Sequence, residues 1–148
     1  MGVCMHDKCW IKECNFGYGT LYMYRCAVAK ALGIEEAFEK SLYWGRLSML
    51  SYVTQEKEEY RTISNNYVEE VESKVIPAVA DFLYACDCNA EFNRKQCDKI
   101  YKMLKSIKLP RDYNPVIKCY STEFDIHKTF LEIFKEGRRY KNKGVEWY

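Results

Sequence analysis

Histidine is scarce in this chain, with only His6 and His127 among 148 residues. General-base and nucleophilic chemistry commonly uses an imidazole beside the reacting group, so few places remain where such chemistry can be assembled. No Ser-His-Asp order, phosphate loop with its Lys, or paired-carboxylate signature stands in the sequence. The Cys-x2-Cys knuckle that positions two thiolates on zinc is missing as well. No run of about 18 apolar residues occurs, so no membrane-spanning helix is predicted. Excess charge is also lacking. Lys and Arg number 23 against 21 Asp and Glu, a net +2, which gives no strong field for nucleic acid and argues against an acidic DNA mimic. Repeats, low-complexity segments and linkers are absent, and the length predicts a single domain, 1–148, able to bury a core. The opening Met1–Lys8 has no apolar h-region, and His6 stands where a myristoylation signal places Ser or Thr. The expectation is a cytoplasmic protein whose eight cysteines are reduced.

Aromatic residues are plentiful. Thirteen Tyr, seven Phe and three Trp make 16% of the chain, and Tyr-rich surfaces are common at interfaces and in sites that stack on flat ligands. The competing use of Tyr is to line the boundary of a core.

The clearest element is a helix over about 94–108. Asn93 is placed to cap it and Gln96, three residues on, to complete a capping box. Cys97, Ile100, Tyr101, Leu104 and Ile107 form one apolar stripe, with Lys99, Lys102, Lys105 and Lys108 between them, and Pro110 follows the end. A second helix is predicted over 20–32, with Thr20 as cap, a stripe of Leu21, Tyr24, Val28 and Leu32, and Gly33 as stop. A short helix is expected from Glu35 to about Tyr43. Residues 43–53 are apolar but fit no single period, and Gln55–Arg61 reads as a charged, solvated stretch. Asn65 or Asn66 is the expected cap of a helix carrying Val68, Val71 and Val75, and Pro77 kinks it or starts a new one. Residues 1–19 read as irregular, a short strand or arm packed on the domain. A strand is expected at Val116–Tyr120, a last helix capped by Ser121 or Thr122 with Phe124, His127, Phe130, Leu131 and Phe134 on one face, and a terminal strand at Gly144–Tyr148. The fold class is α+β: a mostly helical domain with a small edge sheet.

Between the helices lies the turn Cys86-Asp-Cys-Asn-Ala-Glu91. Asp87, Asn89, Asn93 and Gln96 fall at the spacing of positions 3, 5, 9 and 12 of an EF-hand loop, with Phe92 at the apolar position 8. The first position would be Ala85, the glycine position is Ala90, and the last ligand is an amide, so helix capping is the better account. An N-terminal set of Cys4, His6, Cys9 and Cys14 offers thiolates and an imidazole at spacings that suit zinc poorly. Gly17-Tyr-Gly19 precedes a helix N-terminus, a place where backbone N–H groups meet anions, but no Walker Lys follows it.

Three blocks of the chain resemble a family of small phage and bacterial proteins that carry no known activity. They are Gly17-Tyr-Gly-Thr-Leu-Tyr-Met-Tyr-Arg25 with Ala27 and Ala29; Ile76-Pro77 with Cys86-Asp-Cys-Asn-Ala-Glu-Phe92 and Cys97; and a closing helix with the tail Val145-Glu-Trp-Tyr148. That family more often reads Asp-Cys-Asp-Gly where Asp87-Cys88-Asn89-Ala90 stands here, a loss of acid and glycine that weakens a metal role further. The resemblance implies one compact domain and a phage origin.

The site residues predicted are Tyr18, Tyr22, Tyr24 and Arg25, with Asp87 and Asn89, as ligand-binding groups; Arg beside stacked Tyr is a grip for a nucleotide. Arg25 is also expected to pair with Asp87, or with Glu91, and so to pin the first helix to the turn. No catalytic residue, metal ligand or cofactor is predicted. The function expected is non-enzymatic binding. In the phage setting this means a counter-defence protein that sequesters a nucleotide-like immune signal or docks on a host defence protein, with no membrane partner and with homo-oligomerisation compatible. The alternative is a small thiol- or metal-dependent hydrolase.

Overall fold

Strands come first in the chain. The computed structural model, which describes residues 2–119 and 121–148, pairs β1 (Gly2–Asp7) with β2 (Glu13–Gly17) in an antiparallel hairpin, Gly2 opposite Gly17 and His6 opposite Glu13. The alternation of side chains along a strand turns Val3 and Met5 into the core, each at most 1% exposed, and leaves Cys4 and His6 on the other face. The short strand expected in 1–19 is present as a two-stranded hairpin, and the irregular reading of the rest is corrected. The alternation is too short to stand out in a sequence, and the hairpin is fixed by its own loop. There the Asp7 carboxylate accepts from the backbone N–H groups of Cys9 (2.9 Å) and Lys12 (2.6 Å) and from Asn142 Nδ2 (2.8 Å). Trp10, at φ 56°, folds back to stack on the buried His6 ring with centroids 3.4 Å apart.

The other end of the chain completes the sheet. β6 (Val145–Trp147) pairs with β1 on one side and with β3 (Ala90–Phe92) on the other, for an order β2-β1-β6-β3. The predicted terminal strand therefore lies inside the sheet. Gly144 precedes it at φ 123°, and a Cβ there would overlap the Phe92 carbonyl oxygen, so the approach of β6 to β3 requires glycine.

Six helices are present among the described residues. α1 (Tyr18–Ala31) starts two residues before the expected Thr20, with Gly17 as N-cap, and stops at Gly33, φ 75°. α2 (Glu35–Leu50) runs a full two turns beyond the predicted Tyr43. α3 (Thr54–Lys74) absorbs the charged Gln55–Arg61 stretch, so Asn65 and Asn66 sit mid-helix instead of capping. Both errors have one cause: α2 and α3 pack mainly on each other, so neither shows a wide apolar stripe. α4 (Pro77–Tyr84) starts with Pro77 in its first turn. α5 (Arg94–Ser106) carries the predicted capping box, with the Asn93 side chain accepting from Gln96 N and Gln96 Oε1 accepting from Asn93 N, both at 2.9 Å. The expected cap at Ser121 or Thr122 is replaced by a strand. β4 (Val116–Cys119) and β5 (Thr122–Asp125) form a second, two-stranded sheet, and Asp125 caps α6 (Ile126–Gly137). Tyr120, the predicted end of β4, lies outside the described residues.

The core is aromatic. Tyr24 of α1, Phe82 of α4, Phe92 of β3, Phe130 and Phe134 of α6 and Trp147 of β6 are at most 1% exposed. Neighbouring rings meet at 4.7–6.5 Å, tilted or edge to face, the arrangement that ring quadrupoles favour. No helix among the described residues is long and apolar enough to cross a membrane.

Candidate functional site

The Cys86–Asn89 turn connects α4 to β3, and its backbone is held from behind by two residues distant in sequence. Arg25 reaches from α1, donating from Nη1 to Asp87 Oδ1 at 2.7 Å and from Nη2 to the Ala85 carbonyl at 2.8 Å. Trp147 of β6 donates from Nε1 to the Cys86 carbonyl at 2.8 Å. The guanidinium carbon lies 5.4 Å from the Trp147 ring centroid, within cation–π range. Three consecutive residues, Ala85 just before the turn and Cys86 and Asp87 within it, are thereby held. Arg25 is 6% exposed, and burial pulls its pKa down while the Asp87 carboxylate pushes it back up. The Asp87 side chain keeps 43% of its surface in water, so the pair is anchored on the Arg side and hydrated on the acid side.

On the outer side of the turn stand two exposed thiols, Cys86 and Cys88. The Cys88 backbone N–H points at Cys86 Sγ, 3.4 Å away. Backbone N–H groups of Cys88 and Asn89, with a smaller contribution from the Cys88 thiol, hold the Cys86 thiol below its usual pKa. The buried thiols go the other way, Cys26 to about 11 and Cys97 to about 12, because burial disfavours the thiolate. Tyr18, in the first turn of α1, meets Cys88, and that contact raises its phenol.

Beside the turn opens a cleft of about 480 Å³ between α3, α4, β3 and the start of α5. Tyr84 and Phe92 give it apolar walls, Cys86 and Asn89 stand on its rim, and Glu72, Asp81 and Glu91 supply carboxylates. None of the described residues lining it is Lys or Arg.

The structure thus gathers Tyr18, Arg25, Asp87 and Asn89 around one turn. Tyr22 is 40% exposed on the outer face of α1. Tyr24 is not at this surface: it is fully buried between Phe82 and Phe130, with its hydroxyl 2.7 Å from His127 Nδ1. Its place was implicit in the stripe it shares with Leu21 and Val28, since a helix that buries the stripe buries the ring. The calcium-like spacing has its own use. Asn93 and Gln96 satisfy each other, Gln96 Nε2 also donates to Asp81 at 3.0 Å, and Asp87 takes Arg25. Among the described residues no group of three or more His, Cys, Asp or Glu is arranged to hold a metal ion. In the N-terminal set, His6 is buried under Trp10 with Nδ1 2.8 Å from the Asp7 carbonyl and Nε2 3.3 Å from the Glu146 carboxylate.

A second surface feature has no counterpart among the predicted site residues. At the joint of α2 and α3, Met49, Leu50, Tyr52 and Val53 are 77%, 65%, 103% and 53% exposed, with Tyr43 one to two turns below them on α2. Its signal was the apolar run over 43–53 that fitted no period: apolar residues with no buried face to serve.

No family model, curated protein or solved structure matches the chain.

Proposed function

We propose that this chain is a non-enzymatic binding protein that docks on a partner protein through the tip of the α2–α3 hairpin. The observation that carries this reading is the contiguous set Met49, Leu50, Tyr52 and Val53, held out in water by two packed helices. Leaving so much apolar surface hydrated opposes folding economy, and such patches rimmed by polar residues mark association sites. Met and Tyr are also the side chains enriched at interfaces. The rim at the start of α3 is polar and of mixed charge, Glu56, Lys57, Glu58 and Glu59 with Glu58 paired to Arg61, so the partner fits best as an apolar groove with a polar edge. In this reading the partner is a host defence protein and the chain its inhibitor, a setting suggested by the resemblance of its three sequence blocks to phage proteins.

Sequestration of a nucleotide-like signal fits the geometry less well. An anionic ligand needs a cation, yet the cleft beside the turn is lined by carboxylates and Arg25 is already engaged by Asp87 and Ala85.

The test is retention of host proteins by the purified chain, quantified by mass spectrometry for wild type, a Leu50→Asp/Tyr52→Asp double variant and Asn89→Ala. One host protein is expected to be held by wild type and Asn89→Ala and lost by the tip variant, with phage plating on a defended host falling in parallel. A nucleotide released from wild type on denaturation, absent from a Tyr22→Ala variant, with full plating by the tip variant, would overturn the docking reading. So would a concentration-dependent dimer abolished by the tip variant, which would make the tip a contact between copies.

A further inference from the structure

We propose that Cys86 and Cys88 form a dithiol site that exchanges with disulfides, Cys86 supplying the attacking sulfur and Cys88 the resolving one. The inference concerns a different surface from the hairpin tip and stands independently of it.

Three features carry it. Both sulfurs are exposed, so a disulfide can reach them. The turn folds the Cys88 backbone N–H onto Cys86 Sγ at 3.4 Å, which stabilises a sulfur anion there and brings the following thiol beside it. The backbone carrying the two thiols is not a loose loop. Arg25 and Trp147 grip Ala85, Cys86 and Asp87 through three hydrogen bonds of 2.7–2.8 Å. A rigid frame lowers the ordering cost of attack, and the buried guanidinium offsets the Asp87 carboxylate, which by itself opposes a thiolate at Cys86. The downward shift of the Cys86 thiol agrees with this placement. Of the other described thiols, Cys26 and Cys97 are buried, Cys4 and Cys14 are half-buried on the N-terminal hairpin, and Cys9 is exposed with its sulfur turned to the Lys141 carbonyl.

The chemistry balances in two steps. The Cys86 thiolate attacks one sulfur of a substrate disulfide, forming a mixed disulfide and expelling one thiolate, which takes a proton from solvent. Cys88 then loses its proton and attacks the Cys86 sulfur, closing a Cys86–Cys88 disulfide and expelling the second thiolate. The protein dithiol is oxidised by two electrons and the substrate disulfide is reduced to two thiols. The cleft beside Cys86 has the apolar walls Tyr84 and Phe92 and the carboxylates Glu72, Asp81 and Glu91. Glu91 is paired with Lys8 and Asp81 accepts from Gln96, so the apolar walls weigh most, and the substrate class is a neutral disulfide carrying an apolar group.

Stopped-flow reaction of the reduced full chain with dithiodipyridine, a neutral aromatic disulfide, tests this. Wild type should release two equivalents of thiopyridone in its fastest phase, and peptide mapping should find Cys86 joined to Cys88. Cys88→Ser should release one equivalent in that phase and retain the adduct on Cys86, and Cys86→Ser should slow the phase by about tenfold or more. Both cysteines are at the surface, so circular dichroism of the variants should match wild type. First labelling of Cys4, Cys9 or Cys14, or a Cys86→Ser variant that reacts as fast as wild type, would overturn the site. Release of a single equivalent by wild type would overturn the resolving role of Cys88.

Discussion

The body of the molecule and the outer half of the α2–α3 hairpin use the same kinds of side chain in opposite ways. In the body, Tyr24, Phe82, Phe92, Phe130, Phe134 and Trp147 are at most 1% exposed and form a continuous ring network, Trp147 joining it through Phe92. In the outer hairpin the helices meet over small residues. A Cβ on Gly45 would sit 3.3 Å from Ser64 Oγ, Ser64 Oγ donates to the Ser41 carbonyl at 2.8 Å, and Ser48 Oγ donates to the Gly45 carbonyl at 2.8 Å. Trp44 and Tyr60 add one tilted aromatic pair at 5.5 Å. The large apolar side chains of the tip then face water. Burial of apolar area drives folding, so the body's aromatics hold the fold while the tip's contribute little to it and stay free for association. Hydrophobicity in a sequence is thus not a uniform stability signal; its meaning depends on what the helix face meets.

The largest effect expected from breaking this contrast is in the body. Phe130→Ala should cost on the order of 3–5 kcal/mol in urea denaturation, from lost burial plus the cavity it leaves. Tyr52→Ala at the tip should stay within about 0.5 kcal/mol of wild type. Similar losses at the two positions would abolish the distinction.

Next comes the link between α1 and the turn. Removing one partner of a buried ion pair costs up to about 3–5 kcal/mol, but Asp87 remains hydrated, so Arg25→Ala should lose about 2 kcal/mol after discounting for solvent. The denaturation midpoint reads this, and Arg25→Lys should recover only part of the loss because an ammonium cannot bridge Asp87 and Ala85 as a planar fork does. Full recovery by Lys would mean that charge alone matters there.

A smaller loss, about 1 kcal/mol, is expected for Asn93→Ala, which removes the cap of α5. An unchanged midpoint would show that the body holds this helix by packing alone.

The smallest effect concerns His127, whose pKa burial lowers while Asp125 opposes the change. The unfolded chain then binds a proton more readily than the folded one. This contribution to stability is present above the unfolded value of about 6.5 and is lost as pH falls through the lower folded value. Denaturation between neutral and mildly acidic pH should lose less stability in a His127→Gln variant than in wild type; parallel slopes would mean that the folded ring takes up its proton freely.

Much of this was legible in the residues. The α5 capping box, the stop at Gly33 and the start of α4 at Pro77 are local events, decided by side chains within a few residues of the backbone they satisfy. The Arg25–Asp87 pair was readable as chemistry, because a planar guanidinium and a carboxylate in a polar turn have few better partners. What the sequence could not carry was exposure and pairing. The N-terminal hairpin acquires its neighbour β6 from more than a hundred residues away, and the lengths of α2 and α3 follow from each other's surfaces. Tyr22 and Tyr24 look alike in the chain, yet the direction each faces left one in water and put the other against His127. By itself the sequence determined the α5 capping box, the stop at Gly33, the Pro77 start and the charge pair, since these depend on short-range stereochemistry. Only the tertiary structure decided which apolar residues were buried and which thiols stood at the surface, since burial belongs to the contact between elements and not to either element alone.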